Sequence, residues 1–164
     1  MKVRLCSVLL GGLVAAPVLA DVAVPEALAV PADMQLVLST HAEGSQVYVC
    51  SPEAAWTLKA PDAVLFDAQG SQIGKHYGGP SWELSDGSLV TGEPVAKDAG
   101  PDAGAVAWLL VKIKTNSGKG VLAKAALAQR IETKGGLAPK EACKPGDETR
   151  SPYSATYRFF AVKS

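Results

Sequence analysis

The densest group of chemically capable side chains in this 164-residue sequence lies between residues 76 and 86. It combines an imidazole, two carboxylates and two large aromatic rings: His76, Tyr77, Trp82, Glu83 and Asp86. A Gly-Gly-Pro bend at residues 78–80 can bring the imidazole close to a carboxylate, which would orient it and shift its pKa. The cluster predicts a cleft in which His76, Glu83 and Asp86 are candidate acid–base groups, and Tyr77 and Trp82 are candidate ligand contacts.

The same cluster also has a purely structural interpretation. The bend at residues 78–80 can simply join two strands, with Trp82 in the core and His76 in solvent. The two hypotheses differ in whether the imidazole and a carboxylate share a cleft.

Other reaction classes find little support in the sequence. Only His41 and His76 supply imidazole, and they are not at metal-motif spacing, so a metal would need a mixed site with Glu83 or Asp86. Residues 118–123 read G-x-G-x-x-A, but one such match without further βαβ units is weak evidence for a dinucleotide site. No serine lies in a G-x-S-x-G motif. We therefore predict neither a metal nor a cofactor.

Six aromatic side chains could form a flat binding face for a glycan or another small molecule. They are Tyr48, Trp56, Tyr77, Trp82, Trp108 and Tyr157. In a small β fold most such rings belong to the core or its rim, and we expect this of at least four of them.

The first twenty residues predict export from the cytoplasm. Two basic residues precede an apolar run at Leu5–Val14, which is shorter than the roughly 20 residues of a membrane span. The segment ending at Ala20 fits a signal-peptidase site, so residues 1–20 are expected to be a cleaved signal peptide. The mature chain would begin at Asp21, lie in the periplasm or outside the cell, and contain no membrane span.

Export changes what the three cysteines imply. Cys6 lies inside the signal peptide, which leaves Cys50 and Cys143 in the mature chain. Two cysteines in an oxidising compartment predict one disulfide bond between them. The alternative is a pair of free buried thiols, and neither cysteine belongs to a metal-binding C-x-x-C motif.

Charge and length restrict the possible partners. The full chain carries 16 basic and 16 acidic residues, and removal of Lys2 and Arg4 leaves 14 against 16, a net charge of −2. Because there is no basic stripe, nucleic acid is not an expected partner. The 144 residues left after cleavage (164 − 20) are enough for one domain with a single core.

Short alternating segments predict an all-β fold. Residues 46–50 and 55–59 alternate, and Val106–Thr115 is the strongest strand candidate. Asp86-Gly87 lies between two such runs and predicts a hairpin with a type I′ turn. Strands joined by Gly- and Pro-rich turns are typical of an antiparallel sandwich or barrel.

Two parts of the chain are less regular. Residues 21–44 are expected to form an extended N-terminal arm and a first turn, with His41 exposed in that turn, so the β-rich domain would span residues 45–164. Residues 121–133 fit a period of two but also have high helix propensity, which leaves one short helix around Ala125 open.

A series of short motifs runs through the mature chain. They are G-S-Q-V-Y-V-C at 44–50, A-V-L-F-D-A-Q-G at 63–70, I-G-K-H-Y-G-G-P-S-W-E at 73–83, D-G-S-L-V-T-G at 86–92, A-W-L-L-V-K at 107–112, Q-R-I-E-T-K-G-G-L-A-P at 129–139 and P-Y-S-A-T-Y-R-F-F at 152–160. In this order they resemble a family of exported bacterial and fungal proteins known only as domain of unknown function 3455. The resemblance implies a single secreted domain and no particular activity, and it favours a strand at residues 129–133.

The sequence favours a non-enzymatic binding or structural module, because it contains no nucleophile motif, cofactor motif or ligand cluster. The alternative is a small extracytoplasmic enzyme with hydrolase-like acid–base chemistry, which would use His76 with Glu83 or Asp86.

The export hypothesis makes a direct prediction. Intact-mass spectrometry of the protein from its native source should give a chain that begins near Asp21, because the signal would have been removed. A native chain that retains Met1 in a cytoplasmic fraction would contradict export.

Overall fold

The computed structural model describes residues 22–163. In this part of the chain eight antiparallel strands follow one another and form a closed barrel, because β1 pairs with β8 as well as with β2. The strands are β1 (Met34–Cys50), β2 (Trp56–Phe66), β3 (Gln72–Tyr77), β4 (Ser81–Leu84), β5 (Leu89–Asp98), β6 (Trp108–Ser117), β7 (Leu127–Gly135) and β8 (Glu148–Val162). The all-β prediction is confirmed, and the architecture is the barrel.

Alternation along the strands separates an interior from an outer face. Tyr153, Tyr157 and Phe159 of β8 face inwards. Arg150 of β8 lies on the outside, as does its ion-pair partner Asp62 of β2. Large, fully buried interior side chains come from five strands and the β6–β7 connection: Leu65, Trp82, Val90, Val111, Leu122, Tyr157 and Phe159.

The β4–β5 hairpin confirms the turn predicted at Asp86-Gly87, but its predicted type is wrong. Gly87 has a φ of 85°, whereas Asp86 is not among the residues with positive φ. The Asp86 carboxylate accepts a hydrogen bond from the Ser88 backbone N–H at 2.9 Å. This side-chain turn fixes the hairpin without the second positive φ that a type I′ turn needs.

The β6–β7 connection, residues 118–126, closes one end of the barrel, and we call it the plug. Leu122 and Ala125 of this segment are buried in the core, and the Asn116 side-chain amide donates to both their carbonyls at 3.0 and 2.9 Å. Residues 118–126 form turns and no helix, so helix propensity around Ala125 is overridden by the burial of Leu122. Strand β7 then covers residues 129–133, as the family resemblance implies.

The N-terminal segment lies on the outer face of the barrel. Its 3₁₀ turn, Glu26–Leu28, places a fully buried Leu28 against Trp108 and Ile131, and the Gln129 amide donates to the Leu28 carbonyl at 2.7 Å. Residues 22–33 lie outside the eight strands and precede β1.

The expected turn at residues 39–44 is wrong, because these residues lie inside β1. That strand begins at Met34 and pairs with β8 along its length, from Met34–Val162 to Val49–Glu148. The predicted signal peptide, residues 1–20, lies outside the described residues.

The predicted disulfide is present between Cys50 and Cys143, with the Cα atoms 5.9 Å apart. Cys50 ends β1, and Cys143 belongs to the long connection between β7 and β8. The Trp56 indole N–H donates to the Glu141 carbonyl at 3.0 Å. The disulfide and this hydrogen bond hold the connection against the barrel end opposite the Leu122 plug.

The disulfide should contribute strongly to stability, because it closes a sequence separation of 93 residues. Replacing both cysteines (Cys50→Ala with Cys143→Ala) should lower the free energy of unfolding by about 2 to 5 kcal/mol, measured by urea titration. Unchanged urea midpoints for the double variant and for wild-type protein under reducing conditions would contradict this expectation.

Candidate functional site

The structure separates the residues proposed as an acid–base pair. In the β3–β4 ladder His76 is opposite Trp82, and Lys75 is opposite Glu83. Because successive side chains of a strand point to opposite faces, His76 and Trp82 face the barrel interior, while Glu83 lies outside. The proposed pairing of His76 with Glu83 is therefore not formed, because the register puts Trp82 opposite His76 and its neighbour Glu83 on the other face of the sheet.

Glu83 belongs instead to an outer-wall group with Tyr77 and Lys75. Its carboxylate accepts a hydrogen bond from the Tyr77 hydroxyl at 2.9 Å and lies 3.4 Å from the Lys75 ammonium. The Tyr77 hydrogen bond, followed by that of Lys75, lowers the pKa of Glu83, which makes it a poor proton donor near neutral pH. Tyr77 is thus a partner of Glu83 on the outer wall and not a neighbour of His76 in a cleft.

Asp86 lies at the plugged end of the barrel. Its carboxylate accepts hydrogen bonds from the Ser88 hydroxyl at 2.6 Å and from the Val121 backbone N–H at 2.8 Å. Burial raises the pKa of Asp86, but these hydrogen bonds outweigh it and leave the pKa below its ordinary value. Asp86 therefore fastens the β4–β5 hairpin to the plug, and the structure does not bring it to His76.

The two histidines are also apart. His41 lies on the outer face of β1 and pairs with Glu43 at 3.1 Å, whereas His76 is inside the barrel. Across residues 22–163, no three His, Cys, Asp or Glu side chains are grouped closely enough to hold a metal ion.

What the structure does provide is a cavity of about 150 Å³ inside the barrel, at the end near the β1–β2 and β3–β4 turns. We call it the barrel cavity. Its lining consists of Gln46, Leu58, Pro61, His76, Pro80, Trp82, Pro94, Leu109, Val111, Arg130 and Tyr157. Leu58 is 55% exposed and marks the rim, while the His76, Trp82 and Tyr157 side chains are buried. The cavity therefore reaches from the surface into the core.

Three rings form one wall of the barrel cavity. The His76 and Trp82 rings are stacked, with centroids 4.5 Å apart and planes inclined by 8°. Tyr157 presents its edge to both, at 5.0 and 5.4 Å. Four of the six aromatic residues considered above are buried (Tyr48, Trp82, Trp108 and Tyr157), as expected.

His76 is neutral in the folded protein. Its Nδ1 lies 2.8 Å from the Ser81 carbonyl, which can only accept, so Nδ1 carries the proton and Nε2 is left as an acceptor. Burial is the main cause that lowers the pKa of His76 to about 4. At neutral pH the side chain offers an acceptor to the cavity and not a positive charge.

Gln46 is the least satisfied polar group of the site. Its side chain is 1% exposed, and neither the amide nitrogen nor the amide oxygen has a hydrogen-bonding partner among the described residues. The Trp82 indole N–H is buried and unpartnered in the same way. Leaving such a group unsatisfied typically costs about 1–3 kcal/mol. Among the residues that line the barrel cavity, Gln46 and Trp82 thus carry two donor groups and one acceptor group that have no partner within residues 22–163.

Arg130 supplies the charge of the site. Its Nε and Nη2 groups donate to the Ala107 carbonyl at 3.1 and 2.7 Å. It also forms a hydrogen bond to the Tyr157 hydroxyl, whose pKa nevertheless stays raised because burial outweighs this contact. None of the ion pairs found within residues 22–163 includes Arg130.

Sequence reasoning placed His76 and Trp82 at the site but missed Gln46 and Arg130. The signal for Gln46 was its period of two with Tyr48, which put a polar residue on an apolar strand face. Arg130 gave no comparable signal, because its interior position depends on the register of β7 against Tyr157 of β8.

The comparison with known proteins identifies a family of unknown function. The family model described as "Protein of unknown function (DUF3455)" matches residues 31–161, so the chain belongs to this family. No curated protein and no solved structure matches the chain. Within residues 22–163 there is no helix with the length and apolarity needed to cross a membrane.

The buried state of His76 predicts a specific pH dependence. Its pKa falls from 6.5 to about 4 on folding, so between these pH values the unfolded chain binds a proton that the folded protein does not. Stability should therefore decrease as the pH falls from 6.5 to 4, by up to about 3 kcal/mol from this group.

The variant His76→Phe isolates this contribution, because it keeps a flat ring beside Trp82 and removes the titrating group. Urea unfolding of the variant between pH 7 and pH 4 should lack this part of the decrease. If the free energy of unfolding falls with pH in parallel for the variant and the wild-type protein, the pKa of His76 is the same in the folded and unfolded states, and the prediction is wrong.

Proposed function

We propose that this DUF3455 protein is a non-enzymatic binding protein that holds one small molecule in the barrel cavity and acts outside the cytoplasm. The observation that carries the proposal is Gln46, whose amide is fully buried at the cavity and has no partner within residues 22–163. A ligand with its own donor and acceptor would satisfy that amide.

The free-energy cost of burying the Gln46 amide without hydrogen-bonding partners argues against a purely structural role for this residue. An apolar side chain of similar size would pack at this position without leaving two hydrogen-bonding atoms unsatisfied. A buried polar group that is unsatisfied in the free protein and satisfied in a complex makes binding selective, because a ligand without matching groups leaves the penalty in place.

The setting of the cavity also supports binding. Its polar groups lie on strands and not on loops: Gln46 on β1, His76 on β3 and Arg130 on β7. Such side chains are largely ordered before a ligand arrives, so less entropy is lost on binding. A cavity of about 150 Å³ accommodates one molecule of about the size of benzene. A single compact molecule is therefore the ligand we propose, and a glycan chain is not.

Two features support the proposed location. The N-terminal residues have the pattern of a signal peptide. The Cys50–Cys143 disulfide is typical of an oxidising compartment.

The proposal predicts that stability and binding move in opposite directions at Gln46. The variant Gln46→Met keeps the length of the side chain and removes the unsatisfied amide. Its free energy of unfolding, measured by urea titration without ligand, should rise by about 1 kcal/mol or more. Its binding of benzene-sized polar probes, measured by the change in tryptophan fluorescence, should weaken.

Gln129 provides a matched control, because it is equally buried but its amide donates to the Leu28 carbonyl on the outer face. The variant Gln129→Met should lose stability and keep probe binding. If Gln46→Met loses stability as well and binds the probes like wild type, Gln46 is a structural residue and the proposal fails.

A further inference from the structure

Within residues 22–163, Arg130 is a partly buried cation whose hydrogen-bond acceptors are all uncharged. Two of its five N–H groups donate to the Ala107 carbonyl, which leaves three for the Tyr157 hydroxyl and for a ligand. No carboxylate pairs with it in the described part of the chain. A charge taken partly out of water is stabilised when an opposite charge is brought to it.

The titratable groups whose pKa this charge lowers carry no charge of their own at pH 7. The Arg130 guanidinium acts electrostatically on Tyr48, His76, Tyr153 and Tyr157, all of which are neutral at pH 7. Of the described residues that line the barrel cavity, only Arg130 is charged at pH 7. Gln46, whose amide nitrogen is also without a partner in the described residues, lines the same cavity on its β1 side.

We infer that the ligand is a small organic anion, a carboxylate on a compact apolar body, with its carboxylate bound by Arg130 and the Gln46 amide nitrogen. This inference rests on the proposed function and names the class of molecule that the cavity would take. A guanidinium is suited to it, because its planar N–H groups match the two oxygens of a carboxylate.

The rest of the lining favours an organic over an inorganic anion. Leu58, Pro61, Pro94 and Leu109 are apolar, and the stacked His76–Trp82 pair presents flat surface. An inorganic anion such as sulfate would lose its hydration against these walls and gain no contact that replaces it. An apolar body of about six carbon atoms would instead bury its own surface there, within the volume available.

The test compares four probes by isothermal titration calorimetry on wild-type protein at pH 7: benzoate, its neutral isostere benzamide, benzyl alcohol and sulfate. Benzoate should bind at least about tenfold more tightly than benzamide or benzyl alcohol, since only it carries the charge. Sulfate should neither bind nor displace benzoate.

Each contrary result has a distinct meaning. Equal or tighter binding of benzamide or benzyl alcohol would overturn the anion inference and leave the proposed binding function standing. Binding of sulfate in competition with benzoate would replace the organic anion by an inorganic one. If no probe binds, both the inference and the proposed function fail.

Variants assign the effect to Arg130. Arg130→Met should weaken benzoate binding at least about tenfold and change benzyl alcohol binding little. Arg150→Met is the matched control, because Arg150 lies on the outer face in an ion pair with Asp62, and it should bind benzoate like wild type. Should Arg130→Met fail to fold, Arg130→Lys keeps the charge but not the planar fork and should still weaken benzoate measurably. Unchanged benzoate affinity in either folded Arg130 variant would overturn the role of Arg130.

Discussion

The pairing of the first strand with the last is the constraint on which the rest of this structure depends. β1 and β8 are the two longest strands, and their ladder converts a meander of hairpins into a barrel without free edges. Closure also creates an interior, so that every inward side chain of the eight strands must pack or hydrogen-bond within a limited volume. Because this enclosure keeps water away from them, the unpartnered amide of Gln46 and the partly buried charge of Arg130 lower the free energy of unfolding.

The two ends of the barrel meet that constraint differently. At one end the β6–β7 connection inserts Leu122, and Asp86 and Asn116 hold the plug through hydrogen bonds to its backbone. At the other end the interior remains partly unfilled, and its lining combines polar, aromatic and aliphatic residues. The disulfide fastens the long β7–β8 connection at that second end. The barrel thus has a structural end and an end with the chemistry of a binding site.

Local sequence patterns were sufficient for much of the fold. Alternation at residues 46–50 and 106–115 identified strands, and the cysteine count identified the disulfide, because both signals depend on nearby residues or on simple counting. The turn expected at residues 39–44 failed because small and polar residues there resemble a loop, whereas pairing with β8 keeps them extended. Likewise, Val121–Ala126 carries helix formers that tertiary burial overrides.

The candidate site was harder to predict because it depends on which face each residue occupies. His76 and Glu83 are close in the sequence, but the β3–β4 register sends them to opposite faces. Gln46, His76 and Arg130 are far apart in the sequence, and only closure of the barrel brings them to one cavity. No local pattern contains that information, since it arises from the register of several ladders together.

The most direct test of a ligand-binding interior uses the three tryptophan indole N–H signals in a ¹H–¹⁵N correlation spectrum during titration with benzoate. Trp82 lines the barrel cavity, Trp108 lies under the N-terminal arm on the outer face, and Trp56 donates to Glu141. A ligand in the cavity should shift the Trp82 signal with saturation and leave the Trp108 signal in place. A Trp82 signal that stays fixed up to millimolar benzoate, or one that moves no more than that of Trp108, would contradict the account.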